Sequence, residues 1–170
     1  PMADVKPVTF EQLAEIANRV SPEYATRLLA LAGRESTFGK NPAAYKPNMV
    51  GAIGPMQILS SQLGGKYGNF EKYAAPGKTD PLNPLHAAEA GMRMAVDLFK
   101  TKGVDRGTMD YLGRGKKDAL GTTPAGYLQD VNALENQVKA RLQKGAPPTM
   151  TTPTTQKSVE DTVALLQDPA

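Results

Sequence analysis

The chain has 170 residues, 40% of them apolar, enough for one compact body with a buried core plus an appendage. It has no cysteine, which excludes disulfides, thiolate nucleophiles and thiolate metal sites, and its single histidine excludes a His-rich metal centre. Net charge is +3, but residues from Gly145 onward carry −2 and the rest +5, a basic body suited to an anionic partner such as a cell-wall polymer or nucleic acid, or simply to solubility.

No run of about 18 apolar residues exists, so no membrane span and no membrane insertion are expected. Pro1 to Pro7 are not followed by an apolar run, so the start does not read as a signal peptide. Thr9 and Gln12 form a capping box for a helix running to about Val20. Ser21-Pro22-Glu23 reads as an N-cap, a first-turn proline and an acid at the positive helix end. The helix it opens carries Tyr24, Leu28, Leu31 and Ala32 on one stripe. Helical pattern is lost from Gly39 to Gly54 and again from Gly64 to Pro84, which reads as two long loops. Asn83-Pro84 opens a helix with Leu85, Ala88, Met92, Ala95 and Phe99 apolar and Gly103 at its end. Thr123-Pro124 opens the last long helix, with Tyr127, Val131, Leu134, Val138 and Leu142 on one face and Gly145 closing it. Strand signal is weak throughout. The expectation is a mainly α fold with long loops over 1–144. A Pro/Thr-rich linker follows at 145–156, then a short helical tail at 157–170 that either docks on the body or begins a further domain.

Glu35 is out of place. It lies seven residues after Leu28 and four after Leu31, on the stripe that should face the core. A carboxylate there is costly unless it is paired or neutral. It either makes an ion pair with Arg34 or Lys40, points to water past the helix end, or holds a proton for general acid chemistry on a glycosidic oxygen.

The surrounding residues favour the last reading. Arg34-Glu35-Ser36-Thr37-Phe38, then Asn41-Pro42, then Gly51-Ala52-Ile53-Gly54-Pro55-Met56-Gln57-Ile58 resemble the Slt-type lytic transglycosylases, related in fold to goose-type lysozymes. That family has a Glu-Ser pair closing a helix, an Asn-Pro, and Gly-Ala-x-Gly-Leu-Met-Gln. Asn83-Pro84 with Gly91 resembles its next helix start. Tyr111-Leu112-Gly113-Arg114-Gly115 resembles its Tyr-Asn-Ala-Gly-x-Gly turn in the shortened form of phage-encoded members. The resemblance covers about Ser21 to Leu142. Departures are Pro55 for Leu, a longer loop between Glu35 and Gln57, Ala87 for Asn, Met94 for Tyr, and Thr123 near the position of a supporting Glu.

The resemblance implies a lysozyme-like fold and a lyase that cuts peptidoglycan between N-acetylmuramic acid and N-acetylglucosamine, leaving a 1,6-anhydro sugar. Glu35 would be its catalytic acid, and Ser36, Met56, Gln57, Tyr111 and Tyr127 its substrate-binding residues. Ser36 positions Glu35 or caps the backbone. Met56 is cleft wall or core, Gln57 a hydrogen-bonding amide for sugar, and Tyr111 cleft lining or packing. Tyr127 sits on an apolar stripe, with core its default role and a hydroxyl reaching toward the cleft the lesser alternative. No cofactor or metal is expected. The partner is the glycan strand, with other virion proteins as partners of the tail, and the place of action is the periplasm or cell wall. A hydrolysing lysozyme would need a second acid, for which Glu71, Asp80 and Asp97 are candidates. A non-catalytic wall-binding or virion module is the other alternative. Nucleic-acid binding is disfavoured, because aromatics are only 6% and the Lys and Arg residues are scattered.

Overall fold

The structure, a computed structural model, describes residues 5–113 and 121–144. The linker, the tail and the Arg114-Gly115 end of the Tyr111 motif lie outside the described residues. The fold is mainly α, with six α-helices among the described residues, in chain order: α1 (Phe10–Val20), α2 (Ala25–Ser36), α3 (Asn69–Tyr73), α4 (Pro84–Lys102), α5 (Val104–Leu112) and α6 (Pro124–Lys144). Two two-residue strands, β1 (Ala52–Ile53) and β2 (Ile58–Leu59), pair antiparallel with Ile53 opposite Ile58.

Helix starts follow their caps. Gln12 N–H donates to the Thr9 hydroxyl while Thr9 N–H donates to the Gln12 amide oxygen, at 3.1 and 3.0 Å. Asn83 accepts from Leu85 and His86 at the start of α4, and Thr123 accepts from Gly126 at the start of α6. Ser21 departs from expectation. Its side chain makes no cap, and Pro22–Tyr24 forms a 3-10 turn before α2 begins at Ala25. Backbone from Tyr24 to Ser21 closes that turn instead, and this leaves the side-chain cap redundant.

Helix α2 is the central helix. Leu28 through Ala32 are buried on every side, with α1 against one face and α6 against another. The main core gathers Leu13, Leu28, Leu31, Met92, Tyr127 and Val131 from α1, α2, α4 and α6. A second, smaller core lies under the hairpin, where Ile53, Ile58 and Phe70 meet Ala87 and Ala90 of α4. Helix α4 therefore serves both cores. Between α4 and α5 the backbones touch, since a Cβ at Gly107 would lie 2.9 Å from the Leu98 carbonyl.

The two presumed loops are ordered by short polar side chains. Asn41 caps a 3-10 turn at Pro42–Tyr45, and Asn48 accepts from both Val50 and Ala52. The second contains α3, anchored by Glu71. Its carboxylate accepts from the Ser60 hydroxyl at 2.7 Å, Gln62 at 2.9 Å, and the Ser61 N–H and hydroxyl at 3.0 and 3.1 Å. Burial alone would raise the Glu71 pKa, but hydrogen bonds from Ser60, Ser61, its own backbone and Gln62 outweigh it and bring it from 4.5 down to about 2. A depressed folded-state value means stability that is present above about 4.5 and is lost as pH falls toward 2. Urea midpoints of the native chain should thus fall more steeply between pH 5 and 2 than those of Glu71→Gln. Parallel curves for the two proteins would remove Glu71 as an acid-sensitive anchor.

Candidate active site

Three helices and the hairpin meet around the C-terminal end of α2. Glu35 occupies its last turn, half-buried, and the helix ends one residue later, at Ser36. Thr37 and Phe38 both take left-handed backbone, at φ 54 and 55, followed by Gly39 at 81. Two successive non-glycine residues in that region are strained and need external support. They receive it: Phe38 N–H bonds back to Ala32 O at 3.1 Å, and its ring lies over Gly33, where a Cβ would meet ring carbon at 2.5 Å. The chain therefore leaves Glu35 abruptly, turning toward the hairpin rather than continuing along the helix axis.

Tyr127, on α6, donates its hydroxyl proton to Glu35 Oε2 at 2.5 Å. Its ring is fully buried, so the default reading as core is right for the ring, and the hydroxyl reaches the acid besides. Burial first, then the Glu35 charge and hydrogen bond and the nearby Tyr111, hold the Tyr127 pKa well above 10.0, against a smaller lowering by Arg34. Tyr111, on α5, is likewise held well above 10.0 by burial and by the Glu35 charge. Both phenols stay protonated donors at any ordinary pH. The Tyr111 proton goes to the Met56 carbonyl at 2.7 Å, fastening α5 to the hairpin turn.

Arg34, next to Glu35 in the chain, reaches across to α6. Its guanidinium stacks over the Tyr127 ring at 5.1 Å and pairs with Asp130 at 3.2 Å, and it also reaches the Thr122 hydroxyl at 3.3 Å. These contacts hold α6, and with it Tyr127, against α2.

Ser36 is 1% exposed. Its hydroxyl lies 3.0 Å from Ala32 O and 2.8 Å from Pro55 O, and accepts from Gly39 N–H at 2.9 Å. All of these partners are main chain. Ser36 thus braces the hairpin turn against the end of α2, and it can reach a sugar only through what it positions. Met56 is fully buried, and its side chain belongs to the main core. Gly91 of α4 makes room for it: a Cβ there would lie 2.4 Å from Met56 Cβ and 3.1 Å from the Tyr111 oxygen.

Gln57 is half-buried and has positive φ, 49°. Its amide nitrogen donates to Ala44 O at 3.2 Å and Gly54 O at 3.0 Å. That spends both N–H groups on the loop, and among the described residues its amide oxygen accepts nothing. Gln57 can therefore accept from a ligand but has no proton left to give.

Glu35, Tyr111 and Tyr127 thus form one interacting group, with Ser36 and Met56 joined to it through the hairpin turn. Gln57 sits at the end of the same turn. Arg34, Gly91 and Thr122 around the site were not singled out as substrate-binding from sequence. Arg34 and Gly91 had a signal there, as members of the two motifs; Thr122 had none. The three candidate second acids are occupied elsewhere. Glu71 anchors α3 as described, Asp97 accepts from the Tyr73 hydroxyl at 2.5 Å, and Asp80 accepts from Leu82 N–H in its own turn.

A pocket of about 230 Å³ opens between α1 and α4, lined by Arg19, Lys78, His86 and Glu89 among others, and contains none of the six candidate residues. Its chemistry is that of an ion cluster: buried Glu89 accepts from Arg19 at 2.6 Å and Lys78 at 2.8 Å, tying α1 and the preceding loop to α4. Among the described residues no group of three His, Cys, Asp or Glu could hold a metal ion, and no helix is long and apolar enough to cross a membrane. No protein-family model matches the chain, and no curated protein and no solved structure matches it either.

Proposed function

We propose that this protein is a peptidoglycan lytic transglycosylase with a lysozyme-like fold and Glu35 as its single catalytic acid and base. The observation that carries the reading is the setting of Glu35: a half-buried carboxylate at a helix end, held by the hydroxyl of Tyr127 and beside a hairpin whose residues match the family motif. Glu35 protonates the leaving glycosidic oxygen as the C1–O bond breaks. The resulting carboxylate then takes the proton of the muramyl C6 hydroxyl, and O6 closes on C1 to give the 1,6-anhydro product. No water is consumed, so one carboxylate suffices where most glycosidases use two. Engagement of Glu71, Asp80 and Asp97 in local turns and anchors fits this economy. Tyr127 orients the carboxylate, and the free amide oxygen of Gln57 accepts from a sugar hydroxyl or acetamide N–H. The phage-like shortening after Tyr111 supports a role in phage-directed wall degradation, in the virion or as a released enzyme.

The test is digestion of purified Gram-negative peptidoglycan with mass spectrometry of the muropeptides. Anhydromuramyl products are expected. Products carrying an added water would make the protein a lysozyme, and no cleavage by a folded preparation would leave a wall-binding or structural module.

A further inference from the structure

Residues 36 to 70, which form the hairpin lobe, contain Lys40, Lys46 and Lys66 and no Asp or Glu. At one end of this lobe two loops abut. Gly51 and Gly65 face each other so closely that a Cβ on Gly51 would lie 2.4 Å from Gly65 N, and Gly65 N–H bonds to Ser60 O at 2.9 Å. The side chains next to this joint are the most exposed large apolar groups among the described residues: Met49 is 99% exposed, Val50 59% and Tyr67 54%. Lys46 and Lys66 flank them, both exposed, with the Lys66 ammonium 5.5 Å from the Tyr67 ring centre. The tip is preformed, because the Asn48 side chain accepts from Val50 and Ala52 and Gly51 N–H closes on Asn48 O.

An unbranched thioether and a valine at an apex, a tyrosine beside them, and lysines around them match the layers of a bilayer surface. Apolar groups favour the acyl boundary, tyrosine the headgroup level, and lysines the anionic phosphates. A glycan strand would leave Met49 and Val50 without an apolar partner. We propose that the Met49–Val50 tip, with Lys46, Lys66 and Tyr67, docks this protein on an anionic lipid bilayer as a shallow surface anchor. The sequence alone gave the opposite expectation, no membrane insertion, since the apolar residues here are only two in a row. The anchor is independent of the catalytic reading, because none of its residues belongs to the Glu35 group.

The experiment is flotation of the whole protein with vesicles of phosphatidylglycerol and phosphatidylcholine, in low and high salt. Partitioning should fall about fivefold for each lysine changed to Gln. It should fall about tenfold for Met49→Ser/Val50→Ser. High salt should weaken binding, and pure phosphatidylcholine should bind poorly. The chain has no tryptophan, so Met49→Trp gives a sole reporter whose emission should shift to the blue on anionic vesicles. An unchanged thermal midpoint checks that the variants fold. The proposal is overturned if the native chain does not float, if the Ser variant floats equally well, or if the Trp emission stays at its aqueous value. It is also overturned if the tip substitutions weaken binding to insoluble sacculi instead, which would make this surface a wall contact.

Discussion

Glu35→Gln should lower the rate of anhydromuropeptide release by roughly 10²–10⁴-fold while leaving the fold in place. The substitution keeps size and keeps an oxygen for the Tyr127 hydroxyl to donate to. On the proposed mechanism it removes both the proton for the leaving oxygen and the base for the C6 hydroxyl. One group would serve both steps there, so no second carboxylate would share the loss. Residual turnover within a few-fold of the native rate, with an unchanged thermal midpoint, would take the chemistry away from Glu35 altogether.

Tyr127→Phe should cost about ten- to a hundredfold in rate, the range for losing a hydrogen bond to a charged group. The buried ring remains, so the thermal midpoint should move little, and the rate should change far more than stability does. Tyr111→Phe makes the contrast. Its hydroxyl serves the Met56 carbonyl, so the change should loosen the hairpin turn and show first in stability. If the two variants behave alike, Tyr127 is a packing residue whose contact with Glu35 has no bearing on rate. Neither effect should depend on ionisation of the phenols, since burial holds both well above 10.0.

The long helices were legible because caps and periodicity agree. Thr9, Asn83 and Thr123 each mark a start within a residue of where the helix begins. Two strands and two helices were not legible. The strands are two residues long, too short for an alternating pattern to exist. Helix α5 starts directly after the glycine that ends α4 and contains Gly107, so locally it looks like punctuation; its stability comes from tertiary contact with α4. Helix α3 has only five residues and depends on Glu71 reaching back across the chain. At the site, a charge on an apolar stripe singled out Glu35 without any structure. The Tyr127 hydroxyl could be placed near the cleft only as the lesser alternative, because periodicity reports where a ring goes and says nothing of which group the atom at its far end meets. The emptiness of the Gln57 amide oxygen was equally invisible, since it depends on carbonyls of Ala44 and Gly54 that only folding brings near.

Gln57, a glutamine held at φ 49°, occupies a conformation that glycine or asparagine adopts more cheaply. The same residue ties the hairpin turn to the carbonyls of Ala44 and Gly54. Backbone strain and side-chain bracing therefore oppose each other at one position. Glycine there would relax the main chain and at once release the loop that the amide holds, so the turn keeps its shape by a balance of two local terms rather than by either alone.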